Sequence, residues 1–298
     1  VITYNTIIKA FAQSGDLRRA RELLAEMQAE GHAPNDVSYN CLVNAAVSRG
    51  SGDFAEAWET IAAMEKSGVA VDHYTVSIMM KAMKKARNPA PVAKALALLD
   101  RSGIDICSDE ILLNTVLETC IRHKELHRLE GILASYRNSS LKPQVHTYGS
   151  LIKACGCLKR ADRCWALWQE MEELRGIEPN EIVLGCMLDA LVCNGRVDDA
   201  ADLFSKLKGR VKPNTVIYST LIKGFANTHQ ADKAMAAWKE MREAGIQMNT
   251  VVYNALIDAQ ARVGATEEVA GLRRAMERDG CPADGITYST TVKSYCVK

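Results

Sequence analysis

Val1-Ile2-Thr3-Tyr4-Asn5-Thr6-Ile7-Ile8 opens the chain, and Gly31-His32-Ala33-Pro34-Asn35 closes the segment it begins. The segment returns as Thr215-Val216-Ile217-Tyr218-Ser219-Thr220-Leu221-Ile222 and again as Thr250-Val251-Val252-Tyr253-Asn254-Ala255-Leu256-Ile257. Self-similarity at one short period means a stacked array of small units. With the residue at position 5 and the residue that ends each unit as registration marks, the repeats run 1–35, 36–72, 73–109, 110–144, 145–180, 181–214, 215–249 and 250–284, with a partial repeat 285–298. The expectation is one array over 1–298 that opens and closes inside the repeat pattern, as a piece of a longer protein would.

Each repeat reads as two helices. Tyr4, Ile7, Ile8 and Phe11 fall at i, i+3, i+4 and i+7, the buried face of a first helix, helix A. Ser14-Gly15-Asp16 ends it: Gly supplies the positive φ of a C-cap, and Asp offers an acceptor to the free amides of the next helix. Helix B carries Leu17, Ala20, Leu23, Leu24 and Met27 on one face, opposite Arg18, Arg19, Arg21, Glu22 and Glu26. Position 20 is Ala20, Ala57, Ala95, Ala200, Ala234 or Cys164, a close helix contact, but Leu129 and Val269 predict wider spacing in two repeats. Two extra residues around Gly50-Ser51-Gly52 predict a longer loop. Asn88-Pro89-Ala90-Pro91 predicts a helix B shortened to about 92–101, and the greatest irregularity is expected near 85–108.

Hydrophobic residues make up 48% of the chain and aromatics only 6%, which fits closely packed helices better than a sandwich or barrel. No apolar run approaches the ~18 residues of a membrane span, so no membrane partner is expected. The formal net charge of +1 supplies no global basic field, so nucleic-acid affinity must come from local placement of Lys and Arg. Ten cysteines contain no Cys-x-x-Cys pair, the nearest approach being Cys155-Gly156-Cys157 with Cys164. Reduced thiols in a reducing compartment are expected, with no metal and no other cofactor.

The pattern resembles the pentatricopeptide repeat family. The residues that carry it are Thr3-Tyr4-Asn5-Thr6-Ile7-Ile8, Ser38-Tyr39-Asn40-Cys41-Leu42-Val43 and Thr147-Tyr148-Gly149-Ser150-Leu151-Ile152, with Met27, Met64, Met171, Met241 and Met276. The near-uniform repeat length resembles the P-type subgroup. The rival tetratricopeptide repeat carries a Trp-x-x-Leu-Gly signature that is absent here; the four Trp, at 58, 165, 168 and 238, all fall in helix B, where inter-repeat packing is the expectation. The resemblance implies an all-α fold, a right-handed superhelical solenoid of helix-turn-helix repeats, and binding of single-stranded RNA one base per repeat. It also implies a place in chloroplasts or mitochondria, in RNA stabilisation, processing or translation.

Positions 5, 9, 12 and 13 of helix A share a stripe, and the last residue of a repeat lies just before the next helix A. Capping alone favours Asn, Ser and Asp at such places, but it does not explain why the two positions vary in partnership. By resemblance, position 5 and the last residue read a base edge: Asn5 with Asn35, Asn40 with Asp72, Ser77 with Asp109, Asn114 with Gln144, Gly149 with Asn180, Gly185 with Asn214, Ser219 with Asn249, and Asn254 with Asp284. The family's correspondence turns these pairs into 5′-YUGYAAAU-3′, parallel to the chain. Position 2 is implied to sandwich the base: Ile2, Val37, Tyr74, Ile111, His146, Ile182, Val216, Val251 and Ile286. Lys9, Lys81, Lys153, Lys223 and Lys293 at position 9, with Lys85 and Arg262 at position 13, are candidate phosphate contacts. Asn44, Glu118, Asp189 and Asp258 interrupt them, which predicts moderate, salt-sensitive affinity.

His123-Lys124-Glu125-Leu126-His127 lacks the Glu directly after the first His that a zinc-protease helix needs, and falls in an inter-helix turn. Gly50-Ser51-Gly52 lacks the Lys-Ser/Thr of a phosphate loop. No catalytic grouping stands out, so neither an enzyme nor a small-molecule substrate is expected. A protein-interaction scaffold, or the RNA-binding arm of a larger enzyme, remains the alternative. Apolar faces at 1–11 and 286–295 predict end-to-end self-association.

Overall fold

The computed structural model describes residues 1–49, 54–84, 86 and 88–296. They are helical, and no strand occurs among them. Two compact units form, 1–141 and 142–298. The first holds α1 (Ile2–Ser14), α2 (Leu17–Ala29), α3 (Asp36–Ser48), α4 (Ala55–Lys66), α5 (His73–Met83), α6 (Pro89–Ser102), α7 (Glu110–His123) and α8 (Leu126–Arg137). The second holds α9 (Val145–Cys157), α10 (Ala161–Gln169), α11 (Glu181–Cys193), α12 (Val197–Leu207), α13 (Thr215–Asn227), α14 (Ala231–Glu243), α15 (Thr250–Arg262), α16 (Thr266–Arg278) and α17 (Gly285–Cys296). Odd-numbered helices are the A helices. Within each unit they stack side by side, α1 on α3 on α5 on α7 and α9 on α11 on α13 on α15 on α17, and each B helix packs on the A helix before it. The all-α array of helix-turn-helix repeats is therefore as expected.

Most of the expected core is observed, but in the first repeat Ile7 is exposed and Tyr4, Phe11 and Leu24 are half-buried, because helix A there has no earlier repeat against it among the described residues. Position 20 is buried whether it is Ala20, Cys164, Leu129 or Val269, and Met27, Met64, Met171, Met241 and Met276 are buried with it. Each such Met or Leu contributes roughly 1.5–3 kcal/mol by leaving water. The tyrosines at position 4 do more than pack. Tyr148 donates its hydroxyl to Glu170 at 2.8 Å, Tyr253 donates to Asp279 at 2.5 Å, and Tyr218 donates to Glu240. Each bond ties the start of helix A to the end of its own helix B. Burial and the neighbouring carboxylate push the Tyr218 and Tyr253 hydroxyls up, so they stay donors. The Trp residues lie on the B helices as expected, and Lys94 of the next repeat sits 4.3 Å from the Trp58 ring. Burial likewise pushes the Cys120 thiol up to about 12, and Cys155 and Cys164 are buried.

Gly15 ends α1 at φ 85°, and the Asp16 side chain accepts from Arg19 N at 3.0 Å, both as expected. Gly195 and Gly264 take the same left-handed conformation at that turn in two later repeats, and in three repeats without a Gly there Lys124, Lys159 and His229 take it at φ 58–59°. The turn dictates the conformation, whatever residue occupies it.

Two expectations on length are corrected or refined. Helix α6 starts at Pro89, earlier than 92, because Asn88 accepts from Ala90 N at 3.0 Å and Pro89 and Pro91 occupy a first turn that has no use for their missing N–H groups. The irregularity near 85–108 is a 3₁₀ turn, Ile106–Ser108, started by Asp105. In repeat 145–180, one residue longer than the first, α10 passes into a π-turn at Glu170–Leu174, which holds an extra residue per turn. The loop expected around Gly50-Ser51-Gly52 lies outside the described residues.

Close approach has its own signature in the second unit. A Cβ on Gly156 of α9 would come within 2.7 Å of Ala190 Cβ and 2.9 Å of Ala190 Cα on α11. Gly156→Ala is expected to force the two helices apart at a cost of about 1–3 kcal/mol, read as a lower melting temperature by circular dichroism. Lys124→Gly, which relieves a left-handed strain, is expected to raise stability by up to about 1 kcal/mol in the same assay.

Candidate nucleic-acid interface

Helix A cannot start without acceptors for its first-turn amides. The last residue of the preceding repeat supplies one. Asn35 Oδ1 accepts from Ser38 N at 3.2 Å, Asp72 Oδ1 from Thr75 N at 2.8 Å, Asp109 Oδ1 from Leu112 N at 2.7 Å, and Asn180 Oδ1 from Val183 N at 2.9 Å. Asn214, Asn249 and Asp284 do the same for Ile217, Val252 and Thr287. Gln144 makes no side-chain cap bond. Capping is therefore a real role of the last residue in seven repeats.

Capping does not exhaust that role. Asn5 Nδ2 donates to Asn35 Oδ1 at 3.0 Å, Asn40 Nδ2 to Asp72 Oδ1 at 3.1 Å, and Asn254 Nδ2 to Asp284 Oδ1 at 3.1 Å. Position 5 and the last residue thus meet directly in three of the repeats where position 5 is Asn. Ser219 instead turns back onto its own helix, its Oγ donating to Thr215 O at 2.6 Å. Gly149 and Gly185 have no side chain to offer. A Cβ on Gly149 would touch Cys186 and Val183, whereas one on Gly185 would meet open space.

Position 2 is exposed in every repeat, from Val37 at 47% to Ile2 at 84%, and His146 is exposed as well. A recurrent apolar side chain that the core does not use needs a ligand or water to explain it. In the first unit, Val37 and Tyr74 line an open pocket of about 810 Å³ together with Lys9, Asn40, Cys41 and Asn44. Four residues singled out by sequence, the two position-2 side chains, Asn40 and Lys9, are thereby brought to one place.

Residues 110–282 match the family model described as the pentacotripeptide-repeat region of PRORP, and residues 1–48 match that of the PPR repeat family. The chain belongs to the pentatricopeptide repeat family. Among curated proteins of Arabidopsis thaliana, the putative pentatricopeptide repeat-containing protein At3g05240 is 24% identical over 82% of this chain and 42% of its own length. The chloroplastic protein At3g09650 is 25% identical over 80% of this chain and 31% of its length, and the mitochondrial protein At3g53360 is 23% identical over 82% and 30%. The chain spans less than half the length of these relatives. The PPR domain of Arabidopsis thaliana protein-only RNase P 1, solved in complex with tRNA, has a TM-score of 0.52 at 16% identity and covers 63% of this chain and 98% of that one. That likeness is one of fold.

On these pentatricopeptide repeats the cations of the stripe are unequal. Lys9, Lys81, Lys153 and Lys223 are exposed. Arg262 is tied to Asp258 at 2.7 Å, and Lys293 lies 4.0 Å from the same carboxylate, so neither is a free cation. Glu118 is neutralised by Lys84, a residue that sequence spacing did not single out. Lys85 lies outside the described residues. Sequence reasoning also missed the hydroxyls of Ser38, Thr75 and Thr287, which reach Asn5, Asn40 and Asn254; the available signal was Ser or Thr recurring at position 3.

Burial opposes ionisation of Asp72, but bonds from Thr75 and Asn40 outweigh it and hold the carboxyl below its usual range. Asp284 is lowered by the Thr287 amide, then by Asn254 and the Thr287 hydroxyl. A depressed folded-state pKa gives stability that is present above the unfolded value and lost as pH falls through the folded one. The stability advantage of the wild type over Asp72→Asn, measured by denaturant unfolding, is therefore expected to be constant above about pH 5 and to shrink as pH falls below about 4.

Proposed function

We propose that the array binds single-stranded RNA sequence-selectively, about one base per repeat. The observation that carries this is the pocket in which Val37 and Tyr74 flank Asn40 while Asp72 holds the Asn40 amide. In this reading the position-2 side chains sandwich a base and the polar pair reads its edge. Asn40 keeps a second N–H to give, and Asp72 Oδ2 carries only the weaker Asn40 contact, 3.3 Å. One donor beside one acceptor complements uracil, whose ring N–H gives and whose carbonyl accepts. Asn254 with Asp284 repeats that edge. Asn35 instead has amide hydrogens to give, so Asn5 with Asn35 selects a pyrimidine, and Asn114 with Gln144 is assigned the same class. Ser77 with Asp109 is assigned guanine. Ser219 with Asn249, and Gly149 and Gly185 with Asn180 and Asn214, are assigned adenine.

Lys9, Lys81, Lys153 and Lys223 contact phosphate in this reading, with less from Lys293 and Arg262, whose charge Asp258 balances. No chemical step is assigned to these repeats. The chloroplastic and mitochondrial relatives support a place in one of those organelles, in stabilising, processing or translating a transcript. A second reading, the RNA-binding arm of a larger enzyme, is favoured by the match of residues 110–282 to the repeat region of PRORP. A protein-interaction scaffold fits less well, since Asn, Ser, Gly and Lys line the stripe. The exposed Val1, Ile2 and Ile7, and Tyr288, Val292 and Tyr295, support end-to-end self-association, which light scattering tests.

Filter binding with 5′-YUGYAAAU-3′ and its scrambled version tests the central proposal. The ordered sequence is expected to bind at least about tenfold more tightly, a difference of about 1.4 kcal/mol, and equal affinities would sink it. Lys153→Glu and Lys223→Glu are expected to weaken both RNAs alike and to reduce the slope of log affinity against log salt by about 0.7 or more each.

A further inference from the structure

The four full repeats with Asn at position 5 are each followed, three residues into the next helix A, by a hydroxyl: Ser38 after Asn5, Thr75 after Asn40, Thr147 after Asn114 and Thr287 after Asn254. The four with Ser or Gly at position 5 are followed there by Leu112, Val183, Ile217 and Val252. Burial does not separate the two sets, since all eight residues are at most 1% exposed. Packing demand is the same throughout, and the chemistry alternates with position 5.

Hydrogen bonding accounts for the alternation in three of the four repeats with Asn, Asn114 being the exception. Ser38 Oγ donates to Asn5 Oδ1 at 2.5 Å, Thr75 Oγ1 to Asn40 Oδ1 at 2.6 Å, and Thr287 Oγ1 to Asn254 Oδ1 at 2.6 Å. The amide nitrogen of each Asn meanwhile donates to the last residue of its repeat. Asp72 and Asp284, as carboxylates, only accept, and Asn35 Oδ1 is fixed as an acceptor by the Ser38 amide. A flipped amide would lose its bond to the last residue and set its carbonyl against that acceptor, and the hydroxyl proton would have to move to the last residue's oxygen, 2.8–3.0 Å away. Where position 5 is Ser219, its hydroxyl is satisfied by Thr215 O, and the buried neighbour is Val252.

We propose that the buried hydroxyl at position 3 is a positioning residue for base selection: it locks the preceding Asn so that a base meets an N–H donor and not a carbonyl. Asn at position 5 therefore selects its base only when the next helix supplies Ser or Thr. The inference rests on the base-reading assignment above and adds to it a third determinant, contributed by the following repeat.

The test uses the full chain and four RNAs that differ only at the second nucleotide of 5′-YUGYAAAU-3′, the one assigned to Asn40 and Asp72. Thr75→Val removes the hydroxyl and keeps the shape; Thr75→Ser restores it. Wild type is expected to favour uracil by about tenfold. Thr75→Val is expected to lose that preference by weakening the uracil RNA alone, to keep the preference at the eighth nucleotide, and to regain the lost one in Thr75→Ser. A reverse test needs no variant with a missing bond: Ser219→Asn alone is expected to leave the seventh nucleotide without a pyrimidine preference, and Ser219→Asn with Val252→Thr to create one. Retained uracil preference in Thr75→Val, equal weakening of all four RNAs, or a full switch by Ser219→Asn alone overturns the positioning role. A wild type with no preference at the second nucleotide overturns the base-reading assignment itself, and the inference with it.

Discussion

The helix-initiation requirement governs this protein. Every helix A begins with amide groups that the helix itself cannot satisfy, and in seven repeats the residue that ends the preceding repeat answers them with one side-chain oxygen, from an extended backbone at Asn35, Asp72, Asn180, Asn214 and Asn249. That bond fixes the oxygen in space. The position-5 amide of the earlier helix then meets an acceptor whose place is already decided, as Asn40 meets Asp72. A polar edge suited to reading a base is thus built from atoms that helix formation had to position in any case.

Much of the fold was legible because packing repeats. Tyr, Ala and Met at fixed offsets announced which faces are buried, and the buried set contains them except at the two ends, where Tyr4 is half-buried and Tyr288 exposed. Periodicity reports faces, however, and not partners. It marked Asp258 and Arg262 as positions 9 and 13 of one stripe without indicating that they bond each other. It read Pro89 and Pro91 as obstacles, where an Asn88 cap makes them a first turn. The position-3 hydroxyls were in view from the start, yet a lone buried Thr carries no message until the Asn it faces, more than thirty residues away, is known.

Charge is organised locally. A net charge of +1 is compatible with a cationic stripe because acidic residues of the B helices are balanced by cations of the neighbouring repeat: Asp100 by Arg128, Asp162 by Arg196, Glu172 by Arg210, and Asp198 by Lys233. Such exposed pairs each contribute little, about 0–1 kcal/mol. On the A helices, Lys9, Lys81, Lys153 and Lys223 stay exposed.

The π-turn at 170–174, the 3₁₀ turn at 106–108 and the short α12 have one property in common: each falls in helix B or in the connection after it. The A helices meanwhile keep nearly the same length from α1 to α17. This length variation lies away from the first turn of helix A, where the polar edges sit. A lineage carrying such an array can gain or lose single residues while its reading frame for a ligand stays intact, so drift in length and drift in specificity are separable inheritances.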